Sequence, residues 1–407
     1  MEPERVVIVG AGQTGRGMFG ALFYKEGCYE LTFADTDAAL VRGLREQGYY
    51  TVEEKDLLTG SVEHVRVDGF SCVDVADRDA YLDALARATY IAVAVFPKSF
   101  DDVACDLAEM VRVRKARGVE DVVAVILGGN FVGLHEYFQR AIEAQLNEDE
   151  RAYARTYVAL ATSKANRKVV HAGAGAERFA LTGDNKSVLP VEDCLPFKVG
   201  HRLPSFFHID PDVELSMIEK IWSENLIHCS LGFMGAFAGY TTVNEAIEDA
   251  RIGALALYAW FEGRRALEAA YGIPVPDEAA IRTMMEKFDT PYFHDRIARI
   301  VRQPIRKLKK GDRFLGPALL CIEQGITPYF ILRAAAHGFC YEDDAEPQSV
   351  EIARLIRELG IDAAVRAVTE LDPCEPRERL ALEMLADAAR EVSCPRRVPE
   401  VFSRVLG

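Results

Sequence analysis

Short apolar, β-branched runs alternate with amphipathic segments through the first half of this chain. The apolar runs fall at 6–9, 31–35, 91–96, 122–127 and near 157–161, and each is four to six residues long. Between several of them lie stretches with helical spacing, at 15–26, 37–47, 78–88, 100–117 and 132–149. Fully apolar runs of that length suit strands buried on both faces, and strand and helix in turn predict a doubly wound parallel sheet. Residues 49–75 instead alternate polar with apolar, which predicts a hairpin or a short edge. Between 170 and 209 the chain is punctuated by glycine and proline with weak periodicity, and it reads as an interdomain region.

From 210 onward the pattern becomes helical. Asp210-Pro211-Asp212 supplies a cap, a proline at the first helical position and acids in the first turn. Thr242-Val243-Asn244-Glu245 has the spacing of a capping box and opens a helix predicted to reach Tyr271, where Gly272-Ile273-Pro274 stops it. Further helices are predicted at 277–288, 291–303, 314–337, 347–358, 361–369 and 376–392. The fold class expected is α/β plus α: a doubly wound parallel sheet over 1–195, then a mostly α-helical domain over 196–407.

The first strand, Val6-Val7-Ile8-Val9, runs directly into Gly10-Ala11-Gly12-Gln13-Thr14-Gly15. In a GxGxxG turn the first glycine permits the tight turn and the second lets backbone approach a pyrophosphate. The third lets the next helix pack close to the strand. Gln13 and Thr14 belong to the same turn, where N–H groups at a helix start suit phosphate oxygens. The second strand, Leu31-Thr32-Phe33-Ala34, ends in Asp35, about twenty residues past the last glycine, where a ribose-binding acid is expected. Strand, glycines and acid together make a Rossmann dinucleotide site, and an acid at 35 favours NAD over NADP because it repels a 2′-phosphate.

Composition narrows the partners. Lys and Arg number 48 against 63 Asp and Glu, a net charge of −15, which disfavours nucleic acid and anionic membranes. The nine cysteines are odd in number, scattered and never in a CxxC pair, as in a reduced, cytoplasmic protein. The acidic start Met1-Glu2-Pro3-Glu4 has no signal-peptide character, and no run of eighteen apolar residues occurs. The eight histidines form no HxxxH or HExxH pair, so no metal is implied.

Two further segments carry candidate chemistry. Lys220, Asn225 and His228 follow the Asp210 start signal, and at α-helical spacing they fall within an arc of roughly 140° over a rise of about 12 Å. Between 302 and 313 lie Arg302, Arg306, Lys307, Lys309, Lys310 and Arg313, a local inversion of charge in an acidic protein that suits a phosphate. Taken alone, the first set also fits a solvated Lys beside a core His, and the second a solvated helix end.

Four segments of the chain resemble the polyol-specific long-chain mannitol dehydrogenase family. Gly10-Ala11-Gly12-Gln13-Thr14-Gly15-Arg16-Gly17 is similar to its GAGxxGRG, and Leu31-Thr32-Phe33-Ala34-Asp35 to its LTFAD. Lys220, Asn225 and His228 match its KxxxxNxxH, and Arg302 to Arg313 its RQPxRKLxxGDR. The resemblance implies an NAD-dependent, zinc-independent oxidoreductase acting on a sugar alcohol, with Lys220 as general base. It implies Asn225 and Asn130 as donors to the developing alkoxide and His228 as a ligand of substrate hydroxyls. It further implies a phosphorylated pair, mannitol 1-phosphate with fructose 6-phosphate, held by cations among Arg302, Arg306, Lys307 and Arg313, and a monomer or weak homodimer. The chain departs from close relatives at Gly128-Gly129-Asn130, where they carry CEN, and at Ser163-Lys164-Ala165-Asn166-Arg167, where they carry SAVDR. An unphosphorylated polyol, a hexuronate ketone, or a non-catalytic NAD-binding sensor are the alternatives.

Overall fold

A computed structural model describes residues 3–129, 131–173, 175–193 and 203–393. The chain divides into two compact units, residues 1–217 and 218–407, against a domain boundary expected at 195.

The first unit is built on an eight-stranded sheet. Its strands are β1 (Glu4–Val9), β2 (Tyr29–Asp35), β5 (Ser71–Asp74), β6 (Tyr90–Val93), β7 (Val123–Gly129), β8 (Val158–Lys164), β11 (Leu189–Glu192) and β12 (Phe207–Asp210). Their spatial order is β12-β11-β8-β7-β6-β1-β2-β5, and every neighbouring pair is parallel except β11 with β8. Successive side chains of a strand point to opposite faces, and both faces here are covered. Val6 and Ile8 enter one core with Phe19, Phe23 and Phe33, whereas Val7 and Val9 enter the other with Leu85, Leu107 and Phe138. Double burial is why the strands read as unbroken apolar runs.

A second, four-stranded sheet comes from β3 (Tyr49–Lys55), β4 (Val62–Asp68), β9 (Val169–His171) and β10 (Leu181–Asp184), in the order β4-β3-β10-β9. The β3–β4 hairpin matches the alternation at 49–75. The stretch expected to be interdomain is instead woven into both sheets, as β9 to β12. Strands of three or four residues are too short to show a period, and β10 gains order by pairing with the distant β3, Leu181 opposite Val52.

The regular elements among the described residues of the second unit are helices, with one antiparallel bridge between Thr242 and Arg296. Its centre is the long helix Ala250–Tyr271, started by Asp249, whose side chain accepts from the backbone of Arg251 and Ile252. Trp260, Ala256 and Leu267 on that helix pack with Leu226, Phe233, Leu315 and Ile331. Three expected helices differ: the one from Thr242 to Tyr271 divides at Asp249 into Val243–Glu248 and Ala250–Tyr271, 291–303 shortens to Ile297–Ile300, and 314–337 becomes Leu315–Glu323 and Tyr329–Phe339 around Pro328. Among the described residues no helix is long and apolar enough to cross a membrane.

Candidate active site

In the first unit the three glycines of the β1 turn occupy three different environments. Gly10 has φ +96°, and a Cβ there would meet the Ala94 carbonyl oxygen at 2.5 Å. At Gly15 a Cβ would lie 1.8 Å from the Gly10 carbonyl oxygen, so the helix start packs directly on the strand end. A Cβ on Gly12 would meet nothing within 4 Å, so this exposed turn can receive the pyrophosphate of a dinucleotide. Gln13 and Thr14 open the helical run that continues through a π-helical segment, Gly15–Gly20, and no side chain caps its start. Asp35 accepts from the backbone N–H of Ala11 at 2.7 Å and of Asp37 at 2.9 Å, which fixes its carboxylate beside the turn with lone pairs still available to a ribose diol. These residues fit NAD.

Arg16 supports this cradle from behind. It is 1% exposed, its Nε donates to the Ala11 carbonyl at 2.8 Å and its Nη1 to the Phe179 carbonyl at 2.6 Å. Tyr50 and Phe179 flank its guanidinium, and the Tyr50 hydroxyl donates to the Arg16 carbonyl. The family-like GRG segment thus uses its arginine to tie the glycine turn to the chain around the small sheet.

In the second unit the KxxxxN spacing has a local cause. Lys220–Glu224 forms a π-helical turn, and the backbone N–H of Asn225 donates to the carbonyl of Lys220, five residues back. A π turn places residues five apart one above the other, where α-helical spacing would separate them by roughly 140°. Lys220 and Asn225 are thereby brought to one side of the helix, closer together than the expected arc. The wider turn is held by its neighbours. The Trp222 indole N–H donates to the Gly311 carbonyl at 3.1 Å, and only glycine at 316 leaves room for that ring, since a Cβ would sit 2.3 Å from Nε1. Ser223 accepts from the buried Trp260 indole at 3.0 Å.

The regular helix Asn225–Ala238 carries His228 one turn further on. Its Nε2 lies 3.1 Å from Oδ2 of Asp295, a short contact off the line of an ideal hydrogen bond. The imidazole also lies 5.3 Å from the Phe288 ring, tilted by 34°. Burial works to raise the Asp295 carboxyl, but His228 and Arg299 together hold it well below the usual carboxylate range. Sequence reasoning missed Asp295. Its link to His228 spans 67 positions, from 228 to 295, and leaves no periodic or motif signal.

The basic segment is less uniform than its sequence. Gln303 has φ +55°, a left-handed conformation rare for a non-glycine residue, and it directly precedes Pro304. Its Oε1 accepts from Arg306 Nε at 3.1 Å, and Arg306 also reaches Asp312 at 3.5 Å. Lys309 pairs with Glu370 at 2.5 Å, and Lys310 pairs with Glu378. Lys307 and Arg313, expected as phosphate ligands, face inward. Lys307 donates to the Ile300 carbonyl, and Arg313 binds Asp312 at 2.7 Å and Cys229 Sγ at 3.4 Å. Both are at least 93% buried, and their charged groups are engaged with protein partners. Arg302 is exposed, and Arg306 is half-buried with its guanidinium destabilised by burial and by Arg313.

Two family models cover most of the chain: the mannitol dehydrogenase Rossmann domain matches residues 4–194 and the mannitol dehydrogenase C-terminal domain matches residues 212–370. The chain belongs to the mannitol dehydrogenase family. As a member it is an NAD-dependent oxidoreductase that acts on the CH–OH group of polyols. The fold is shared with Pseudomonas fluorescens mannitol 2-dehydrogenase, solved as a ternary complex with NAD and D-mannitol. That match has a TM-score of 0.77 at 14% identity and covers 99% of this chain and 94% of that one. D-sorbitol dehydrogenase in substrate-free form matches with a TM-score of 0.69 at 13% identity over 97% and 94% of the two chains.

The residues at 128 and 166 have local structural roles. A Cβ at Gly128 would lie 2.5 Å from the Phe19 ring and 2.9 Å from the Val93 carbonyl oxygen, so Phe19 occupies the space a larger residue would need. Asn166 donates to the Val188 carbonyl at 3.1 Å, tying β8 to the approach of β11. Asn130 lies outside the described residues. Among those described, no group of three His, Cys, Asp or Glu side chains is placed to hold a metal ion.

Lys307 offers a test of the inward-facing cluster. Burial, with Arg313 and Arg306 adding to it, pushes its ammonium down to about 7. Between that value and the ordinary lysine range the unfolded chain binds a proton that the folded chain lacks, so stability rises with pH through this window. Lys307→Met is expected to flatten the dependence of unfolding free energy on pH between 7 and 10, by up to about 1.4 kcal/mol per pH unit. Denaturant titrations across that range provide the check, and an unchanged slope would contradict the buried placement.

Proposed function

We propose that this dehydrogenase interconverts a hexitol phosphate and its ketose phosphate, mannitol 1-phosphate with fructose 6-phosphate, with Lys220 as general base. The observation that carries the chemistry is the π turn, which stacks Asn225 over Lys220. Bound NAD supplies the acceptor for the hydrogen and two electrons that leave the carbinol carbon. The side chains of this turn handle the proton and the developing negative charge. A neutral Lys220 amine takes the hydroxyl proton, and the Asn225 amide donates to the oxygen as it becomes an alkoxide. Asn130 is the second donor in this reading, and His228 binds a neighbouring hydroxyl. In reduction, Lys220 returns the proton to the ketose oxygen.

The residues assigned to NAD are Gly10, Gly12, Gln13, Thr14 and Gly15 of the turn, with Asp35 at the end of β2. Support for the phosphate is narrower than the sequence implied and rests mainly on the exposed Arg302, since Arg306 is half-buried against Gln303 and Asp312 and the other four cations are buried or paired. That same neutralisation favours a second reading, an unphosphorylated polyol. NADH oxidation with fructose 6-phosphate and with fructose, side by side, separates the two. Turnover of the phosphate alone, lost about 10- to 100-fold in Arg302→Ala, is the expected result. Turnover of fructose alone discards the phosphate and keeps the mechanism.

A further inference from the structure

We propose that Phe96 is the platform on which the nicotinamide ring of the cofactor stacks. The inference deepens the reading above in which the glycine turn and Asp35 hold NAD, and it rests on that reading. Among the described residues of the first unit, Phe96 and Phe131 are the only exposed phenylalanines or tyrosines, at 62% and 39%. Every other such ring described there is buried or half-buried. Phe96 follows the carboxyl end of β6 by three residues, and Phe131 follows that of β7 by two. The two strands are parallel neighbours, with Ile91 opposite Val125, so both residues stand at the carboxyl edge of one sheet.

That edge also carries the glycine turn. From β1 the chain moves to β2 and β5 on one side, then crosses to β6, β7 and β8 on the other. The strand order therefore reverses between β1 and β6, and ligands of open α/β sheets bind beyond the carboxyl ends of such a pair. In the reading above, Asp35 beyond β2 takes the adenosine ribose and Gly12 beyond β1 takes the pyrophosphate. A dinucleotide laid in that direction has its second nucleoside on the β6 side. Phe96 stands there.

The backbone holds Phe96 in place. A Cβ on Gly10 would meet the Ala94 carbonyl oxygen at 2.5 Å and Val95 Cγ1 at 3.1 Å, so the segment before Phe96 lies against the glycine turn. Ala94 donates to the Val9 carbonyl at 2.8 Å. Pro97 restricts Phe96 to extended backbone, φ −78° and ψ 156°, and the Phe96 carbonyl accepts from Ser99 at 2.9 Å. Phe131, by contrast, is already engaged, its ring edge-on to buried Phe100 at 5.8 Å. The exposed phenyl of Phe96 offers a flat apolar face to a flat heterocycle, and its π face also favours the positive charge of the oxidised ring.

ADP-ribose, which is the dinucleotide without its nicotinamide, separates this role from a general one. By calorimetry, Phe96→Ala is expected to weaken NADH binding by about 5- to 100-fold and ADP-ribose binding by less than about 2-fold. Phe96→Tyr keeps the ring face and is expected to hold NADH affinity within about 3-fold of the wild type, whereas Phe96→Leu keeps only apolar bulk and is expected to behave like alanine. Because the side chain is exposed, all three variants are expected to unfold at the wild-type temperature.

Unchanged NADH affinity in Phe96→Ala overturns the proposal. So does an equal loss for both ligands, which would assign the effect to the ADP half they share. Gly12→Ala judges the reading underneath, since it is expected to weaken both ligands alike. No effect of Gly12→Ala on either ligand would move the dinucleotide off the glycine turn, and a selective NADH loss in Phe96→Ala would still place the nicotinamide at Phe96.

Discussion

Lys220→Ala is expected to lower kcat by about 10²- to 10⁴-fold while leaving NADH affinity within error of the wild type. Lys220 stands on the π turn of the second unit, whereas the residues proposed to hold NAD stand around the β1 turn and Asp35 of the first. Truncation removes the amine that takes the hydroxyl proton and leaves the cofactor turn intact. It also leaves the bonds that Trp222 and Ser223 make around the π turn. Stopped-flow or steady-state turnover, paired with fluorescence titration of NADH, measures both halves of the expectation. Near-normal turnover would remove Lys220 from the proton transfer. Loss of NADH binding in step with activity would make its role one of binding rather than catalysis.

The second large effect separates two glycines three residues apart. Gly15→Ala is expected to destabilise the first unit by about 2–4 kcal/mol, because its Cβ meets a backbone carbonyl that cannot step aside. Gly12→Ala is expected to fold with wild-type stability, because its Cβ enters open space. That open space is where the backbone must approach the pyrophosphate, so the folded variant is expected to bind NADH at least about 10-fold more weakly. Thermal unfolding and NADH titration on both variants give the test. Equal NADH affinity in Gly12→Ala would place the dinucleotide elsewhere.

Much of the first unit was legible because its physics is local. A strand buried on both faces must be apolar at every position, so Val6–Val9 and Val123–Leu127 announced themselves. The glycine turn did the same, since each glycine answers a steric demand within a few residues. What escaped detection depends on partners far along the chain. The strand β10 is held by pairing across more than a hundred residues, Leu181 with Val52, and β9 by pairing in turn with β10, and their own three or four residues carry no period. Lys307 and Arg313 read as phosphate ligands, because a sequence counts charges without showing which way they face. The angular relation of Lys220 to Asn225 was misjudged for another reason: an arc computed at 100° per residue assumes an unbroken α-helix.

A π turn is an α-helix with one residue too many, a single extra tooth on a gear. The five-residue interval between Lys220 and Asn225 therefore works as a phase setting for the helical run around it. Closed with ordinary four-residue bonds and the same residues, the helix would set Lys220 and Asn225 about 140° apart, and the amine and the amide would no longer share a side. Removing one residue, Ser223 for example, would leave the two four apart in a regular helix, about 40° from each other and on one side again. The length of chain between them and the winding of the turn are thus a matched pair, and changing either alone decides whether the two groups meet.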